Sequence, residues 1–190
     1  MIARADVPAT PRSILSHLFA GSADATASEM LEEAAARARS DGFVVLSLGW
    51  QAGADIRELA SFHAAIALQC VRHGAPMVPT AIVSGGPVSE SAGLASPADF
   101  LLALALALNA QQSIYAYACG PDARADRSSS FGVYIDPDTL ARGRTLAIDL
   151  AKCLTTGEAR SVFERLGDYR LLTAAPVDAS VLRAILITQP

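Results

Sequence analysis

Short unbroken apolar runs alternate along the chain with longer stretches whose apolar residues recur every three or four positions. The unbroken runs are FVVLSLG (43–49), TAIVSGG (80–86), SIYAYACG (113–120), YRLLTA (169–174) and VLRAILIT (181–188). Each has the length of a strand, and FVVLSLG and TAIVSGG read as strands covered on both faces. FGVYID (131–136) reads as a shorter extended piece. Helical patterns lie between the runs. RSILSHLF (12–19) gathers Ile14, Leu15 and Leu18 on one side. SEMLEEAAARARSDG (28–42) has Ser28 as its expected cap, Glu29, Glu32 and Glu33 in its early turns, Arg37 and Arg39 late, and Gly42 as its stop. DIRELASFHAAIALQCVRH (55–73) reads as one long amphipathic helix from an Asp cap to Gly74. SPADFLLALALALN (96–109) opens on a Ser96 cap with Pro97 in the first turn. DPDTLARGRTLAIDLAKCL (136–154) starts at Asp136 and Pro137 and is expected to break near Gly143. TGEARSVFERLGD (156–168) is expected to be capped by Thr156 and ended by Gly167.

Strands alternating with helices predict an α/β fold of three layers, a mixed, mostly parallel sheet flanked by helices. The last two strands are joined only by AAPVDAS (174–180), short for a helical crossover, which is why a mixed sheet is expected. Residues 1–27 read as a tail with a short helix, and 28–190 as a single domain.

Composition narrows the function classes. At 52% hydrophobic and 18% charged residues the chain can bury a core and is not disordered. Aromatics make up only 6%, so Ala and Leu must fill the interior by close helix packing. The net charge is −4 and Lys152 is the one lysine, which argues against nucleic acid or an anionic membrane as partner. The longest apolar run, Phe100 to Leu108, falls far short of the ~20 residues of a membrane span. Cys70, Cys119 and Cys153 are odd in number and far apart, so three buried thiols are expected rather than disulfides or a metal site. With no signal peptide visible, a cytoplasmic location follows as the expectation.

The candidate chemistry centres on PTAIVSGGPVSESAGLASPADFLLALALALN (79–109), a strand, a glycine turn, a polar loop and an apolar helix. Glycines after a strand let backbone N–H groups face a concavity, and a helix N-terminus adds positive potential, a geometry suited to phosphate or carboxylate. Ser84, Gly85 and Gly86 are therefore candidate anion ligands; the competing reading is a turn that needs positive φ. The loop has neither the GxGxxG nor the GxxxxGK[ST] pattern. His17, His63 and His73 read as structural, with His73 favourable at a helix C-terminus. Asp122 and Asp126 could hold Mg²⁺ beside phosphates, but Arg124 and Arg127 interleave with them, and Asp136 and Asp138 read as caps and loop charges. No nucleophile elbow is present.

Seven stretches together resemble the C-terminal region of the glycerate kinase family, whose members are often labelled hydroxypyruvate reductases and carry a MOFRL domain. They are EAAARARSDGFVVLSLG (33–49), HAAIALQCVRHGAPMVPTAIVSGG (63–86), FLLALALALN (100–109), IYAYA (114–118), YIDPDTLARG (134–143), FERLGDYRLLTA (163–174) and LRAILI (182–187). The resemblance implies an α/β domain that, in full-length members, phosphorylates glycerate with ATP and Mg²⁺ in a cleft against a larger N-terminal domain. It also marks departures at four loops. Pro87 stands where the family has Glu after Ser-Gly-Gly. Ser96 stands where an Arg is expected near substrate or phosphate. The Gly120–Asp126 stretch keeps one matching aspartate, Asp122, and TAAPVDASV (173–181) keeps Thr173.

Truncating a core residue costs about 2–5 kcal/mol, whereas charged loop residues persist only where chemistry needs them. The resemblance thus implies no catalytic residue, a ligand-loop remnant of Ser84, Gly85, Gly86 and Asp122, and no metal. No cofactor is expected, with ATP and Mg²⁺ only if the family activity is kept. The expected role is a structural, interaction or regulatory protein, as a homodimer or with a companion chain. The alternatives are a small-anion or sugar-acid binding module, and the C-terminal half of a split glycerate 2-kinase or hydroxypyruvate reductase completed by another chain.

Overall fold

A computed structural model describes residues 10–20, 25–50, 55–74, 78–86, 96–121, 130–172 and 180–189. The elements follow in chain order: α1 Pro11–Leu18, α2 Ala27–Ser40, β1 Val44–Trp50, α3 Ile56–His73, β2 Thr80–Gly86, α4 Pro97–Leu108 and β3 Ile114–Pro121. Then come β4 Ser130–Ile135, α5 Thr139–Thr145, α6 Leu150–Thr156, α7 Ala159–Leu166, β5 Tyr169–Leu172 and β6 Val181–Ile187.

The six strands form one sheet in the order β1-β2-β6-β3-β4-β5. It is mixed, as expected, but not mostly parallel in its pairings. Only β1–β2 is a parallel pair, and the other four are antiparallel. The crossovers through α3 and α4 do keep β1, β2 and β3 pointing the same way. β6, however, inserts between β2 and β3 and runs against both.

Side chains alternate across the sheet. Ile82, Ala116, Ala118, Phe131, Val133 and Ile185 face α3 to α7, whereas Ala81, Val83, Cys119, Tyr134, Leu182 and Leu186 face α1 and α2. α4 lies in the middle of the first layer and is apolar on nearly every side, as expected of a helix with all but Leu106 and Ala107 buried.

Several local expectations are corrected. β1 is not covered on both faces: it is an edge strand that exposes Val44, Ser47 and Trp50. α2 is capped by Thr26 rather than Ser28, in a capping box closed by Glu29. The helix after Pro137 breaks at residues 146–149, not at Gly143. Gly143 lies inside α5, where a Cβ would come within 2.9 Å of Leu150 Cδ1. Asp149 caps α6, and Thr156 closes α6 instead of capping α7. The long α3, from its Asp55 cap to left-handed Gly74, forms as read, and so does α4 from its Ser96 cap.

The topology gathers one end of the sheet. Trp50 pairs with Gly85, Gly86 with Val181, Pro121 with Ser130, and Ser130 with Leu172. Trp50, Gly86, Pro121, Ser130, Leu172 and Val181 therefore lie along a single rim.

Candidate functional site

β2 reaches the rim as Ser84-Gly85-Gly86, and all three residues are buried. Gly85 is needed for close approach: a Cβ there would meet Leu182 Cδ2 at 3.2 Å and the Trp50 ring at 3.3 Å. Gly86 has φ 148°, a region that disfavours L side chains, so the turn itself demands glycine there.

Ser84 points into the α3–α4 layer, where His63 meets it. His63 Nδ1 lies 2.7 Å from the Leu59 carbonyl and Nε2 lies 2.9 Å from Ser84 Oγ. A carbonyl can only accept, so the proton sits on Nδ1, and the Ser84 hydroxyl donates to Nε2. Burial lowers the His63 pKa to about 4; the Leu59 bond opposes this shift and the Arg183 charge adds to it. His63 is therefore a neutral, internally committed imidazole.

A stability prediction follows. The unfolded chain takes up this proton near pH 6.5 and the folded one only near 4, so the unfolded state binds more protons between them. Stability contributed here is complete above pH 6.5 and falls as pH drops through that window, by about 3 kcal/mol in all. Urea midpoints of wild type and His63→Gln should converge as pH falls from 7 to 4, and a constant gap would remove the assignment.

Arg183 completes the cluster. It lies opposite Ser84 on one side and Ala118 on the other, in the middle of the sheet. It is 1% exposed, with Nε and Nη1 lacking any hydrogen-bond partner. Its Cζ lies 5.1 Å from the centroid of the Phe100 ring, whose edge contact with His63 spans 5.3 Å. Burial pulls the Arg183 pKa down to about 10.

One helical turn away, Ser96 Oγ receives the Asp99 N–H at 3.2 Å and donates to Asp99 Oδ2 at 2.8 Å. Both residues are buried, so a carboxylate already sits at the N-terminus of α4.

The structure thus brings Ser84, Gly85 and Gly86 together, while Asp122 and Asp126 lie outside the described residues. His17 and His73 are exposed on helix surfaces. Asp136 accepts from the Asp138 N–H and the Thr139 hydroxyl, as a capping residue does. Cys70 and Cys119 are buried and Cys153 half-buried, all as free thiols. Sequence reasoning did not single out Arg183 or Phe100, and it left His63 without its partner. The available signal was an arginine inside the unbroken apolar run VLRAILI. Among the described residues no group of His, Cys, Asp and Glu is placed to hold a metal ion, and no helix is long and apolar enough to cross a membrane.

A second concavity of about 460 Å³ opens on the α1 side of the sheet, lined by Arg12, Tyr117, Tyr134, Asp168 and Arg170 among others. Asp168 is its anchor, paired with Arg12 at 2.8 Å and Arg142 at 2.7 Å.

No family model matches the chain. Two curated proteins of Agrobacterium vitis, each named "Putative hydroxypyruvate reductase", are 32% identical over 83% of this chain and 30% identical over 86% of it. The chain spans 37% and 44% of their lengths. Among solved structures, the glycerate kinase of Thermotoga maritima superposes with a TM-score of 0.76, covering 86% of this chain and 41% of that one at 18% identity. Over most of its length the chain is thus similar to part of these relatives, consistent with a glycerate kinase/MOFRL-like region. A protein of Pyrococcus horikoshii has the same fold, with a TM-score of 0.72, 18% identity and 87% of this chain covered. At such identities the two structures establish the fold alone, not its chemistry.

Proposed function

We propose that this glycerate-kinase-like region does not transfer phosphate by itself and acts as a structural, interaction or regulatory unit. The observation that carries this reading is the start of α4. At the position where the family resemblance implies an arginine near substrate or phosphate, Ser96 spends its hydroxyl on the helix cap and on Asp99. A serine held in this way brings no positive charge to a phosphate at this helix. Phosphoryl transfer depends on positioning and on neutralising charge. These residues do not fit Mg²⁺–ATP phosphates at this helix. The Ser84 hydroxyl is likewise turned inward to His63.

A coupled assay for ADP release from ATP, Mg²⁺ and D-glycerate should read background for this chain. Glycerate-dependent ADP release that Asp122→Ala abolishes would overturn the proposal.

A further inference from the structure

The concavity of about 460 Å³ under α1 falls within the usual size of a small-molecule site, about 300–1,000 Å³. It lies on the face of the sheet opposite the His63–Ser84 cluster, and its lining includes neither the glycine turn nor the start of α4. Its floor is Gly132, inside β4 between Cys119 and Arg170. Glycine weakens a strand interior and marks places where something approaches closely. Here a Cβ would collide with the Tyr117 hydroxyl, so the missing side chain lets that phenol reach across β4 into the cavity. Phe19 stacks on the Tyr117 ring at 6.2 Å and fixes its direction. The Tyr117 and Tyr134 hydroxyls make no hydrogen bond with a described residue. Burial raises both phenol pKa values, so both keep the proton they would donate. The hydroxyls of Thr10, Ser13 and Ser16 are instead spent within α1 and its cap.

The charges are unequal. Two guanidiniums, Arg12 and Arg170, line the cavity with one carboxylate, Asp168, which Arg12 and Arg142 already hold. Arg170 is exposed, and no described carboxylate pairs with it. We propose that this concavity binds a planar aromatic monoanion of the benzoate or salicylate class, its carboxylate on Arg170 and the Tyr117 hydroxyl and its ring against Leu172. Three features select this class. One positive charge is uncompensated, so a monoanion neutralises the site and a dianion would overshoot it. A planar guanidinium matches a planar carboxylate through parallel N–H···O bonds. Phenol rings and guanidiniums around the space favour an aryl body over an alkyl one. The site uses neither Ser96 nor Asp99, so the ADP-release assay can succeed or fail without touching it.

The test is calorimetry and thermal unfolding of the full chain with benzoate, salicylate and indole-3-acetate. The comparison compounds are cyclohexanecarboxylate, benzamide, glycerate and phosphate at matched ionic strength. An aryl acid at a hundredfold excess over its Kd should raise Tm by about 5–10 °C, and the comparison compounds should not. Arg170→Met should abolish binding and leave Tm without ligand within about 2 °C, since the side chain is exposed. Tyr117→Phe, which keeps the ring and removes the hydroxyl, should weaken binding about tenfold. No aryl acid bound at millimolar concentration, equal binding of any comparison compound, or full affinity in Arg170→Met would overturn the proposal. If Arg170→Met does not fold, unchanged affinity in Tyr117→Phe overturns it, and a tenfold loss upholds it.

Discussion

Phe100→Ala is expected to lower stability by about 3–5 kcal/mol, the largest single-residue effect foreseen in this molecule. Phe100 is fully buried in the first turn of α4, at the contact of α3, α4 and the sheet. Its ring meets the edge of His63 and the guanidinium of Arg183. Truncation removes the transfer energy of the ring and leaves a hole that the surrounding helices close only in part. It also strips Arg183 of its cation–π contact, worth about 2 kcal/mol when desolvated. Water entering the hole would return part of that loss by solvating the guanidinium, which keeps the total within the usual range for buried phenylalanine. A chain of this size should lose about 6–20 °C in Tm. Phe62→Ala is the control. Phe62 lies on the same helix as His63 but is 53% exposed, so its truncation should change stability by about half a kcal/mol or less. Similar losses for the two variants would contradict the packing of α4 described above.

The second large effect is expected at Asp168. Its side chain is 1% exposed and holds two arginines from distant parts of the chain, Arg12 of α1 and Arg142 of α5. Burial works against the Arg142 charge, but bonds and charges from Asp168 and Asp136 more than offset it, and its pKa rises. Arg12 also stacks on Tyr134, 4.7 Å from the ring centroid, and donates to the Gly167 carbonyl. Asp168→Asn keeps the shape and removes the charge. Breaking a fully buried pair costs about 3–5 kcal/mol. Here the arginine side chains are 42% and 34% exposed and recover water when released, so a loss of about 2–3 kcal/mol is expected. The loss should be uneven: amide exchange should accelerate most in α1, which Arg12 ties down. Uniform acceleration would mean that Asp168 supports the β4–β5 edge rather than the α1 contact.

Much of the fold could be read from local pattern because the decisive residues are local. Ser96, Pro97 and the apolar run after them specify α4, and Asp55 and Gly74 bracket α3. The Thr26 cap was also legible, since Thr26 and Glu29 form the T-x-x-E pattern, but Ser28, two residues on, is an equally good capping type. Strand order is a different matter. Nothing in FVVLSLG says that its strand lies at an edge, because that depends on which distant run pairs with it. The insertion of β6 between β2 and β3 is equally non-local, and it reversed the expected balance of parallel pairs. The site divides the same way. Ser84, Gly85 and Gly86 stand out as a turn, whereas the Ser84–His63 bond exists only once α3 has docked on β2. Arg183 was visible as a charge within an apolar strand, but its burial against Phe100, with Nε and Nη1 making no hydrogen bond, is a property of the packed protein.

The placement of β6 bears on how the chain acquires its shape. Thr80 pairs with Ile187, and Ile114 pairs with the same residue from the other side. Until residues 181–187 have been synthesised, β2 and β3 are two unzipped margins with no neighbour to join them. Such long-range closure is slow and exposes strand edges to other molecules in the meantime. Chains truncated just short of Val181 should therefore be sticky and protease-sensitive, while released chains that carry residues 181–187 can close the sheet.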